Sequence, residues 1–145
     1  MVMESSLFSG YPAVLRLNPD HTYTIFLRNW DGAISEANSL EDAKNVAKEL
    51  LLDVLDSLFD AGQIIPPALP AKEGDFTINL PLDASIKIML RNYMTEKGCK
   101  KADLARGVKV PPQRIKSFLS LRKSTSLVFL DSAFALFGKK LSVSI

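Results

Sequence analysis

Short apolar runs rich in β-branched and aromatic residues mark the start of the chain, and a helical spacing of apolar residues comes after them. Tyr11 to Leu17 (YPAVLRL) and Thr22 to Leu27 (TYTIFL) flank Asn18-Pro19-Asp20-His21, a turn-forming connection, so they predict a β-hairpin. A second break at Asn29-Trp30-Asp31-Gly32 leads into a short third strand around Ala33 to Ala37. Ser39 can then cap a helix, with Asp42 placed three residues on to reach back. Leu40, Ala43, Val46, Ala47, Leu50, Leu51, Val54 and Leu58 form the apolar face of that helix, charged residues cover the rest, and Gly62 ends it. The order β-β-β-α describes a meander with one helix laid across it.

Pro66, Pro67 and Pro70 stiffen the next segment and resist both helix and strand. The expected organisation is therefore a first domain at 1–65, a proline-rich linker at 66–75 and a second domain at 76–145. In the second domain, Phe76 to Leu80 (FTINL) reads as a strand and Pro81 opens a helix from Leu82 to Lys97, stopped by Gly98. Further helices are expected at about Lys101–Lys109, Pro111–Leu121 and Ser126–Phe137, and the terminal LSVSI reads as a strand. The fold class expected is α+β: a small β-β-β-α layer joined to a mainly helical unit.

Charge sharpens this division. Residues 81–145 carry 13 basic residues against 4 acids, a net of +9, whereas residues 1–80 carry 5 against 12, a net of −7. The basic half suits a polyanion and the acidic half a basic protein. A helix-turn-helix fits the basic stretch Lys100–Lys123. Ala105 supplies the small residue where the helices cross, and Leu104, Val108, Val110, Ile115 and Phe118 supply the apolar set. Lys109 occupies the turn position that glycine usually takes, where φ is positive, which costs a lysine some strain. Gln113, Lys116 and Ser117, with Ser120 further along, are the candidate base-reading residues, since Gln can bind adenine and Lys guanine through paired contacts. Lys100, Lys101, Lys109, Arg114, Arg122 and Lys123 flank them as candidate phosphate contacts.

The acidic half carries a further signature. Tyr11-Pro12 opening a strand, Asp20 in the turn, Tyr23 in the second strand and Ser39-Leu40-Glu41-Asp42-Ala43 at the helix start resemble the HicB family of antitoxins. The resemblance runs through the proline segment into the helix-turn-helix, as in one branch of that family. It implies a reduced ribonuclease-H-like N-terminal domain and a C-terminal DNA-binding domain. It also implies a role: binding and inactivating a small HicA-type mRNA interferase and repressing the operon that encodes both. The sequence departs from the family at Phe26-Leu27-Arg28-Asn29-Trp30-Asp31-Gly32, which lacks the two prolines common there, so partner specificity at this loop is expected to be its own. Candidate toxin contacts are Trp30 and the acidic helix face, Glu49, Asp53, Asp56 and Asp60.

Catalysis is not expected. The hairpin strands contain no acid, one His and one Cys cannot make a structural zinc site, and His21 lies in a turn. No cofactor is implied. The single Cys99 fits a reducing cytoplasm, and neither a secretory leader nor a membrane span is expected. A palindromic operator requires at least a dimer, and FTINL and LSVSI could pair within or between chains to form its interface. The rival reading is a stand-alone dimeric transcription regulator whose N-terminal domain senses a ligand, although so short a β-β-β-α unit gives no sign of the concave apolar pocket this needs.

Overall fold

The computed structural model of the chain describes residues 4–142. Strands β1 (Tyr11–Leu17), β2 (Tyr23–Leu27) and β3 (Ile34–Ala37) form the expected meander, followed by helix α1 (Leu40–Asp60). The hairpin pairs Ala13 with Leu27, Leu15 with Ile25 and Leu17 with Tyr23. Its turn is closed by Asp20, which accepts hydrogen bonds from the backbone and hydroxyl of Thr22, while His21 adopts φ 69°. Ser39 Oγ caps α1 by accepting from Asp42 N, a contact worth about 1 kcal/mol.

Alternation along the strands sends Tyr11, Ala13, Ile25 and Leu27 to one face, where they are buried under α1. Ala43, Ala47, Leu51 and Leu55, one helical turn apart, meet them. The two alanines at the N-terminal end leave room for the strands beneath. Phe8, from a single 3-10 turn at Ser5–Phe8, completes this core.

A fourth strand, β4 (Phe76–Ile78), pairs antiparallel with β1, giving the sheet order β3-β2-β1-β4. The FTINL strand, expected with the second unit, thus hydrogen-bonds to the first unit within the same chain. Between them, the proline-rich segment is pinned rather than free. Tyr11 Oη donates to Pro66 O, Ala68 N to Leu7 O, and Asn29 bridges Pro67 O and Leu69 N. Arg28 and Asp75 close the segment with a bidentate pair, whose donors hold the Asp75 carboxyl below its usual range.

Helices α2 (Leu82–Lys97), α3 (Lys101–Val108), α4 (Pro112–Leu119) and α5 (Leu127–Ala135) build the second core. Gly98 at φ 66° terminates α2 as expected. Ile86, Leu90 and Met94 of α2 pack with Leu104, Ala105, Ile115, Leu119, Leu130 and Phe134. Ala84 and Ile88 of the same helix belong instead to the core beneath the sheet. The LSVSI strand falls mostly on residues 143–145, outside the described residues, and Leu141 and Ser142 are not in a strand. Among the described residues no helix is long and apolar enough to cross a membrane.

Candidate DNA-binding surface and acidic helix

The α3–turn–α4 unit forms as its pattern predicts. Ala105 is buried at the crossing, Ile115 and Leu119 turn inward, and Val110 and Phe118 pack against the same core. Lys109 adopts φ 59° and ψ 45°, the left-handed geometry a glycine would enter without cost. Its neighbour Val110 closes the turn by donating its N–H to Ala105 O. Pro112 occupies the first turn of α4, where a missing N–H is harmless.

Gln113, Lys116 and Ser117 lie exposed on one face of α4, at the i, i+3, i+4 spacing that aligns side chains. Ser120 differs. It is the half-buried C-cap of α4, and its hydroxyl accepts the backbone N–H of Arg122. Lys100, Lys109, Arg114 and Lys123 are exposed around this face, with the Arg114 guanidinium stacked over the Phe118 ring. Lys101 leans away, its ammonium 3.6 Å from Asp60 and over the Phe59 ring.

Arg122 turns toward α1. Its guanidinium lies 2.8 Å from Asp53, 2.8 Å from Asp56 and 3.3 Å from Glu49. The acidic face read from the sequence is therefore a stripe at one side of α1, and three of its members converge on one arginine. Asp56 also pairs with Arg91 of α2 at 2.9 Å.

Two residues that the sequence pattern marks only as charge prove central. Lys87 is buried with its ammonium donating to Ser120 O and Lys123 O, at 2.7 and 2.5 Å. Arg91, also buried, donates to Leu119 O at 2.7 Å. Together they satisfy the carbonyls at the end of α4 and in the loop after it, where a helix dipole favours positive charge. Burial pushes the ionisation of both groups below their ordinary ranges. The available signal was compositional: Ala84, Ile86, Ile88, Leu90 and Met94 surround α2 so fully that cations at i and i+4 have no solvent face to occupy.

In the sheet unit, Trp30 stacks on Tyr11 with ring centroids 5.6 Å apart. It also lines an open groove of about 570 Å³ between the sheet and the proline segment, with Val14, Phe26, Leu69 and Pro70. The concave apolar surface not foreseen in so short a unit is therefore present, because the proline segment supplies its second wall. Among the described residues no group of three or more His, Cys, Asp or Glu side chains is placed to hold a metal ion.

The chain is 27% identical to Antitoxin HicB of Escherichia coli (strain K12) over 133 residues, 92% of this chain and 96% of the relative. It is 28% identical over 111 residues to Antitoxin HicB 2 of Photorhabdus laumondii subsp. laumondii, covering 77% of this chain and 78% of that one. Residues 10–89, which include the whole sheet, α1 and the first half of α2, match the family described as HicB_like antitoxin of bacterial toxin-antitoxin system. With that match covering more than half its length, the chain belongs to the HicB-like antitoxins.

Proposed function

We propose that this antitoxin binds and neutralises a HicA-type mRNA interferase through its N-terminal sheet unit, and represses its own operon through the α3–α4 helix-turn-helix. The family match over residues 10–89 carries the first half of this reading. The exposed Gln113, Lys116 and Ser117 face, ringed by Lys100, Lys109, Arg114 and Lys123, supports the second. Protein of this kind would act in the cytoplasm, and operator binding would need two copies. The exposed Leu127, Val128 and Leu136 beside the helix-turn-helix are consistent with pairing there. Trp30 is the candidate anchor for the toxin, being aromatic, partly buried and at the edge of an apolar groove.

The same groove favours a second reading, in which it takes a small ligand and the protein is a dimeric regulator without a toxin. Co-expression with the protein encoded beside it separates the two. Restored growth and a co-purified complex support the antitoxin, and a harmless neighbour with no complex supports the regulator. Gln113→Ala with Lys116→Ala should weaken operator binding at least tenfold, since paired base contacts each contribute about 1–3 kcal/mol. Toxin inhibition should be unchanged. Intact operator binding by this variant would remove α4 as the reading element.

A further inference from the structure

The basic loop after α4 and the acidic stripe of α1 are in contact within one chain, and the contact is unequal. Arg122 is surrounded by three carboxylates, two of them, Glu49 and Asp53, 62% and 72% exposed. Among the described residues neither of these pairs with any other basic side chain. Asp56 is shared, one oxygen 2.9 Å from Arg91 and the other 2.8 Å from Arg122. The stripe therefore offers more negative charge than the loop needs for docking, at distances of 2.8 to 3.3 Å that suit a guanidinium gripping phosphate oxygens.

The backbone around Arg122 is fixed independently of this pairing. Lys87 holds the carbonyls of Ser120 and Lys123, and Arg91 holds that of Leu119. The Arg122 side chain can thus swing while the loop stays in place. It lies at the rim of an open cleft of about 230 Å³ lined by Lys48, Glu49, Asp83 and Lys123, so solvent and a polyanion can reach it.

We propose that Glu49 and Asp53 act as an intramolecular phosphate mimic, holding Arg122 away from DNA and lowering the affinity of the helix-turn-helix. The proposal rests on the DNA-binding role proposed for α3 and α4. Exposed ion pairs are each weak, so the latch is one that a real phosphate backbone can displace at a cost. Anything that neutralises or covers the stripe would free Arg122 and strengthen DNA binding. The acidic stripe then works first as a partner for this chain's own arginine.

The test is equilibrium binding of the full chain to two fluorescein-labelled duplexes across a potassium chloride series. One comes from the region upstream of its own coding sequence, and the other is a scrambled duplex of equal length. Glu49→Gln with Asp53→Asn should bind both about three- to tenfold more tightly at low salt. The slope of log affinity against log salt should steepen by about 0.9, one added phosphate contact. Both gains should vanish when Arg122→Gln is added. Glu41→Gln with Glu73→Gln, the same change of charge away from the loop, should give little gain. Because both acids are exposed, the variant should fold, and Asp53→Asn alone gives a smaller form of the same gain. Unchanged affinity, a loss of affinity, or a gain that survives Arg122→Gln would each overturn the proposal while leaving DNA binding intact. If neither wild type nor variants bind either duplex, the DNA-binding role falls and the latch falls with it.

Discussion

Lys87 is fully buried, and its closest carboxylate, Asp83, stands 4.0 Å away. What it satisfies is backbone, the carbonyls of Ser120 and Lys123. Lys87→Met keeps the volume but leaves both acceptors bare, at a cost of about 1–3 kcal/mol in urea unfolding at neutral pH. The lysine also has a pH signature. Burial lowers its folded pKa below the unfolded value of about 10.4, so within that window the unfolded chain binds more protons and stability rises with pH. Tyr11 acts in the opposite sense, because burial raises its phenol and folding is favoured until pH exceeds its unfolded value. Both proteins share the Tyr11 effect. The difference between wild type and Lys87→Met should therefore widen from neutral pH toward pH ~10, and a difference that stays flat would mean that burial does not lower the ionisation of Lys87 relative to the unfolded chain. None of this was legible in the sequence, where Lys87 counted only toward the net charge of the basic half. A lysine's partners are invisible when they are carbonyls more than thirty residues away.

Elements were legible where local chemistry decides them. Ser39 and Gly98 mark helix ends by capping and by positive φ, and the helical spacing of Leu40 to Leu58 predicts α1 with a solvent-facing acidic side. The outward direction of that side comes from periodicity. Its contact with Arg122 and Arg91 does not, since it depends on how the second core docks. The turn between α3 and α4 was readable in detail, including its cost: Lys109 was expected at positive φ and is found at 59°. That strain is removable. Lys109→Gly should raise stability by about 1 kcal/mol, offset in part by the greater freedom of glycine in the unfolded chain. The same change deletes a candidate phosphate contact, so duplex affinity should fall a few-fold with its salt slope about one unit shallower. A stabilised protein with unaltered salt dependence would place Lys109 off the DNA-facing surface.

At the scale of the whole molecule the charge split was the plainest signal, and its consequence is partly internal. Lys87 and Arg91 are buried, and Arg122 and Lys101 face acids of α1, so the basic excess open to solvent is smaller than the count for residues 81–145 suggests. The proline-rich segment reads as a linker, yet the residue that leads into it, Ile65, bonds through both its backbone N–H and its carbonyl to the buried Asn92 amide of α2. Prolines report stiffness and say nothing of anchoring, which comes from residues far along the chain. With α2 contributing to both cores, loosening one exposes apolar residues of the other. The chain should accordingly unfold in urea as one transition. Trp30, the only tryptophan, reports the core beneath the sheet by fluorescence, while far-UV circular dichroism is weighted toward the helices. The two curves should coincide in wild type. Asn92→Ala strips the Ile65 amide and carbonyl of their partner, which should cost about 2–3 kcal/mol and shift both curves together. Separate midpoints in wild type would show that α2 does not couple the cores, and a shift in the fluorescence curve alone would confine the Asn92 contact to the proline segment and the sheet.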